Sequence, residues 1–136
     1  MLRGLASIPE DSRSNPIMTI IDREIEVILE NGIYKYLKNP DGSRKEKAGW
    51  KRFGFPLFYQ SDVLETLDVL TSLGVKDSRM QEAIDLVSSL RDKDGRWTLK
   101  NTYNGKMHCE IDEKGQPSKW ITLRALRVLR RFYEDL

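Results

Sequence analysis

The sequence predicts an all-α domain of antiparallel αα-hairpin repeats, with one small β-hairpin near 97–111. Three observations lead there. Apolar residues recur at helical spacing in four separate stretches. Most of these stretches open on a capping residue or close on a glycine. Two Asp-Gly turns, Asp41-Gly42 and Asp94-Gly95, stand 53 residues apart, each after a helical stretch. The 136 residues amount to one domain. The whole of 1–136 reads as a single helical-repeat unit. Within it, 1–10 reads as the tail of a preceding helix or as disorder, and 38–58 as a long basic and aromatic loop.

The first long helix begins at Asn15-Pro16. Asparagine suits the cap because its side chain can accept from a free backbone N–H, and proline suits the next position, where no N–H is needed. Ile17, Ile20, Ile21, Ile25, Ile28 and Leu29 follow, and Asn31-Gly32 closes the helix. The second helix spans Ser61 to Leu73. Asp62 and Glu65 have capping-box spacing, Val63, Leu64, Leu67, Leu70 and Leu73 form the stripe, and Gly74 stops it. Ser78 and Gln81 make a second capping-box pair before Met80, Ala83, Ile84, Val87 and Leu90. The short connection makes these two helices an antiparallel hairpin. Asn104-Gly105, between Trp97–Tyr103 and Lys106–Ile111, is a strong hairpin-turn signal. Ser118 caps a last helix from Lys119 to about Asp135, with Ile121, Ala125, Val128, Leu129, Phe132 and Leu136 on its apolar side.

Composition narrows the class. The chain is 39% hydrophobic and 32% charged, with a net charge of only +2, which excludes a disordered or polybasic chain. The near-neutrality hides an uneven distribution. Lys35–Arg52 carries net +5, Lys119–Arg131 carries net +5, and the remainder carries net −8. Such asymmetry implies an anionic partner, or basic surfaces facing an acidic body. One cysteine precludes an internal disulfide and fits a reducing compartment. No apolar run is long enough for a membrane span or a secretory signal, so a cytoplasmic location is expected.

Leu64, Leu67, Val69 and Leu70 align with Leu123, Leu126, Val128 and Leu129 at an offset of 59. The unit is helix, Asp-Gly turn, variable linker, helix, and its period suggests an αα-repeat array. Leu90-Arg91-Asp92-Lys93-Asp94-Gly95-Arg96-Trp97 resembles the Gln-Trp motif of the terpenoid cyclases and protein prenyltransferases. Gly95 and Trp97 match that motif, while Arg91 stands where it has Gln. The earlier copy keeps Gly42 and has Arg44 in place of Trp. The span from Phe53 to Leu136 has the look of a squalene-cyclase repeat. The resemblance implies a partial αα-toroid. It also implies more helices than this sequence supplies, so a fragment or shortened member is expected, with open repeat edges that favour self-association.

The resemblance brings no catalytic group. Squalene-hopene-type cyclases use Asp-x-Asp-Asp, which is absent; Asp92-x-Asp94 lies in the repeat turn and reads as turn chemistry. Prenyltransferases bind zinc through Asp, Cys and His. Here His108 and Cys109 are adjacent, so on a strand they point to opposite faces and cannot share a metal with Asp112. No cofactor or metal is expected. A Ser-His-Asp triad and a P-loop find no support either.

Two groups of residues remain as site candidates. Trp50, Phe53, Phe55, Phe58, Tyr59, Trp97 and Trp120 offer an aromatic surface for an apolar ligand, against the plainer reading that they pack the core. Arg124, Arg127 and Arg131 share one helix face, which is either solvated or an anion or partner site. The favoured role is a non-catalytic scaffold, or an apolar, isoprenoid-like ligand-binding part of a larger protein. An active isoprenoid enzyme is the alternative, and nucleic-acid binding through the two basic segments comes third.

Overall fold

The computed structural model describes residues 1–134. It is built from α1 (Leu2–Ala6), α2 (Asn15–Glu30), α3 (Val63–Ser72), α4 (Gln81–Ser89) and α5 (Lys119–Tyr133), with 3₁₀ turns at Glu10–Ser12 and Ser78–Met80. The all-α class holds. Among the described residues β pairing is confined to isolated bridges, Lys35 with Glu46, Gly54 with Asn101 and Thr98 with Pro117.

α3 is the hub. It packs most extensively on α5 and also touches α4 and α1, while α2 contacts α1 and the Ser78–Met80 turn. Its stripe explains this position: Val63, Leu64, Leu67 and Leu70 are fully buried. They meet Ile121, Ala125 and Val128 of α5 and Ala83, Ile84 and Val87 of α4 in one core with Phe53, Met80, Trp97 and Leu99. Burial on the two hub helices matches at an offset of 58, pairing Val63, Leu67 and Leu70 with Ile121, Ala125 and Val128. At the offset of 59, Leu64 and Leu67 fall on Leu123 and Leu126, which are exposed.

The caps show why the helices start where they do. The Asp62 carboxylate accepts from Glu65 N–H at 2.7 Å. Only that half of the capping box forms, because the Glu65 carboxylate turns to Arg3. Val75 N–H returns to the Leu70 carbonyl at 3.0 Å past Gly74, which takes φ +77°. Ser118 accepts from Ile121 N–H. Two caps differ from expectation. Ser14, not Asn15, occupies the cap of α2, leaving Asn15-Pro16 in its first turn. Asp77, not Ser78, caps the next helical segment, and Gln81 bonds forward to Asp85. Asp77, in extended backbone, accepts from Arg79 N–H at 2.8 Å, so the capped segment starts one residue earlier. The expected end of α5 near Asp135 and the apolar Leu136 lie outside the described residues.

The β-hairpin near 97–111 does not form. Asn104-Gly105 does make a turn, with Lys106 N–H to the Tyr103 carbonyl at 2.9 Å. Its flanks pair elsewhere. Leu99 N–H donates to Gln116, Leu99 carbonyl accepts from Gly115, and Lys100 and Asn101 N–H donate to Phe53. Trp97 and Leu99 are core residues, whereas His108 to Ile111 are exposed. The first flank is therefore drawn to apolar partners that the second cannot supply.

The two Asp-Gly turns share a backbone pattern. Asn39 N–H donates to Ser43 and Gly42 N–H to Asn39; Asp92 N–H donates to Arg96 and Gly95 N–H to Asp92. Gly42 and Gly95 hold φ of +88° and +79°. Asp92 Oδ1 accepts from the N–H groups of Asp94 and Arg96, so its carboxylate is committed to the turn. The residue two past each glycine then reaches back to the helix before it. Trp97 Nε1 donates to Val87 carbonyl at 2.7 Å, and Arg44 donates to Glu30 carbonyl. The Arg91 guanidinium lies 5.7 Å from the Trp97 ring centroid.

α2 ends on two successive left-handed residues, Gly32 at φ +56° and Ile33 at φ +71°. A β-branched residue there costs on the order of 1–3 kcal/mol. Ile33 tolerates it because its side chain is 1% exposed and its N–H bonds to the Ile28 carbonyl at 3.0 Å.

Candidate functional site

Of the seven aromatic candidates, the structure gathers three. Trp50, Phe58 and Tyr59 line a cleft of about 330 Å³ bordered by α1, α2 and α3. Phe53 and Trp97 are withdrawn into the core and border a separate recess of about 250 Å³ beside Lys51 and Lys100, apart from this cleft. Phe55 and Trp120 stack on each other, centroids 5.1 Å apart, and do not line the cleft.

The cleft is assembled by backbone bonds between segments distant in sequence. Lys47 N–H donates to the Tyr34 carbonyl at 2.8 Å, and Trp50 carbonyl accepts from Val63 N–H at 3.0 Å, so the 38–58 loop is tied to both α2's exit and α3's entry. Ile28 and Ile33 from the end of α2, Leu2 from α1 and Val69 from α3 supply apolar wall. Lys47 Nζ sits 4.1 Å from the Trp50 ring centroid, and burial pushes its ammonium below the usual lysine range. Phe58 and Tyr59 form an open lip, 63% and 82% exposed, each backed by the Tyr103 ring. Arg3, Glu24 and Glu65 add charge to the lining, with Arg3 Nη1 donating to Glu65 Oε1 at 2.6 Å.

The arginine face is not simply solvated. Arg127 donates to both oxygens of Asp68 on α3, at 2.9 and 2.5 Å. Arg131 adds a third bond at 3.1 Å, and Arg124 Nε lies 3.7 Å away. Asp68 escaped the sequence reading. Its only signal in the sequence is the acidic pair Glu65 and Asp68, three apart and off the apolar stripe of α3. Lys47 and Tyr103 were also missed, because only the folded loop sets them beside aromatic rings.

The asymmetric charge now has a partial account. Lys35 pairs with Glu82, Lys51 with Glu46, and the α5 arginines with Asp68. Lys35 and the α5 arginines thus face acidic groups of the body, while Lys51 is paired within its own segment. One further carboxylate is unusual. Asp62 is 2% exposed and accepts from Gly54 N–H at 2.9 Å as well as from Glu65 N–H. Burial pushes its carboxyl up to about 6, against the opposing pull of those N–H groups and of Arg124. It faces backbone amides and does not line the cleft.

No helix among the described residues is long and apolar enough to cross a membrane. Comparison with family models, curated proteins and solved structures finds no match to this chain.

Proposed function

We propose that this chain is a non-catalytic helical binding domain whose cleft takes an apolar ligand, serving as the scaffold or ligand-binding part of a larger assembly. The carrying observation is the convergence of Trp50, Phe58 and Tyr59 with Leu2, Ile28, Ile33 and Val69 on one cleft of about 330 Å³, whose remaining wall is polar and charged. Small-molecule sites are commonly concave with aromatic and aliphatic walls, and this cleft shares that concavity and its aromatic side while carrying more polar groups. The likeness to terpenoid-cyclase and prenyltransferase αα repeats belongs to this reading. The two matching Asp-Gly turns and the packing of Arg91 over Trp97, in the place the motif gives to Gln, support it. The enzyme reading is weaker: Glu65 in the cleft is engaged by Arg3, and the carboxyl with the raised pKa is turned to backbone amides.

The test uses the full chain and the neutral fluorophore N-phenyl-1-naphthylamine. Saturable enhancement is expected. Trp50→Ala should weaken it roughly tenfold, since a large aromatic face in a binding pocket contributes on the order of 1.4 kcal/mol or more. Trp120→Ala should leave it unchanged. Absence of saturation, or equal losses in the two variants, overturns the reading.

A further inference from the structure

We propose that the notch between α1, α3 and α5 binds a phosphoryl oxyanion, as inorganic phosphate or as the head of a phosphate monoester. This goes beyond the cleft reading and does not depend on it.

The argument starts from a mismatch of charge. Asp68 is one carboxylate, and Arg124, Arg127 and Arg131 surround it. Arg3 lines the same notch and shares its charge with Glu65. The notch itself is lined by three guanidiniums, Arg3, Arg127 and Arg131, and one carboxylate, Asp68, with Arg124 and Glu65 flanking it. Asp62 is a third acid nearby, felt by Arg124 and occupied by two backbone N–H groups. A positive excess is left even with Asp62 ionised.

Donors are left over as well. Arg127 uses Nε and Nη2 on Asp68, Arg131 uses Nη1 on Asp68, and Arg3 uses Nη1 on Glu65. Among the described residues, Arg127 Nη1 and the Nε and Nη2 of Arg131 and Arg3 have no protein acceptor. A carboxylate offers about four lone-pair sites, so Asp68 cannot absorb them all. These guanidiniums line an open notch of about 270 Å³, several times the roughly 30 Å³ of one water molecule. Arginine forks match the oxygen edges of a phosphoryl group and stay charged at every accessible pH. A dianion with several oxygens suits a notch whose donors come from α1 and α5 together.

Calorimetric titration of the full chain at low ionic strength tests this with inorganic phosphate and with butyl phosphate. Saturable binding that weakens steeply with added salt is expected for at least one probe. Equal affinity assigns the site to the free ion, and tighter butyl phosphate assigns it to a monoester. Arg131→Gln and Arg127→Gln should each weaken binding roughly tenfold, as loss of one charge-assisted fork contact implies. Asp68→Asn, which removes the internal competitor, should tighten it; circular dichroism confirms that each variant is folded. Folded wild-type protein that takes up neither probe at millimolar concentration overturns the proposal. So does phosphate binding that both arginine variants retain, which would leave the cluster a staple between α3 and α5.

Discussion

The two Asp-Gly turns have the same backbone and opposite surroundings. At the second turn the residue two past the glycine is Trp97, 1% exposed, hydrogen-bonded to Val87 and covered by Arg91. At the first it is Arg44, exposed, bonded to the Glu30 carbonyl. Both side chains reach back to the preceding helix. One does so through the core and closes the fold. The other does so across the surface, and the chain beyond it stays open as the loop that forms the aromatic cleft. A turn geometry thus does not decide whether a repeat becomes scaffold or site; the side chain that follows it does.

The largest expected effect tests the closed copy. Trp97→Ala should lower unfolding free energy by about 3–5 kcal/mol, the range for removing a buried large aromatic. Urea denaturation followed by circular dichroism measures it. A loss no greater than that of Arg44→Ala would break the comparison.

The glycines come next. Alanine at either position must hold positive φ, at about 1–2 kcal/mol. Gly95→Ala should cost more than Gly42→Ala. Its new Cβ would sit 2.9 Å from Arg91 Nη2 and displace the guanidinium from Trp97, whereas at Gly42 the nearest atom is Lys38 Cε at 3.5 Å. Equal urea midpoints for the two variants would show that the Arg91 contact contributes nothing. Arg44→Ala should be smallest, below about 1 kcal/mol, as expected for an exposed side-chain bond.

The joint between the two regions should respond to pH. Asp62 holds Gly54 of the loop and Glu65 of α3 with one carboxylate. Its carboxyl is raised from 3.8 to about 6, so the folded state binds this proton more tightly than the unfolded chain does. The stability this adds is full below about pH 4 and lost as pH rises through about 6. Glu26, Asp41, Asp77 and Glu82 are shifted the other way, so their contribution is lost as pH falls through the acid range. Stability should therefore rise from pH 7 to about pH 5 and fall at lower pH. In Asp62→Asn the rise between pH 7 and 5 should flatten, as read from urea midpoints across pH.

The helices were legible because a 3.6-residue stripe and a cap are local signals. Asp62, Gly74 and Ser118 act where their spacing placed them. The hairpin was misread because Asn104-Gly105 specifies a turn and not the partners of its flanks; Leu99 found Gln116 and Gly115 instead. The aromatic cluster was visible as composition, but which rings face outward depends on the loop's long-range anchors at Tyr34 and Val63. The arginine row was seen without its counter-charge. Asp68 lies 59 residues from Arg127, and no local rule joins them.

Ile33 sets two demands on one position. Its backbone conformation suits glycine, and its place in the core suits a large aliphatic side chain. A saturation library at this codon should therefore split: glycine and asparagine would relax the chain yet hollow the wall, while leucine and valine would keep the wall and retain the strain. The site beside the cleft is one where neither a propensity table nor a packing score, used alone, would choose the residue that is there.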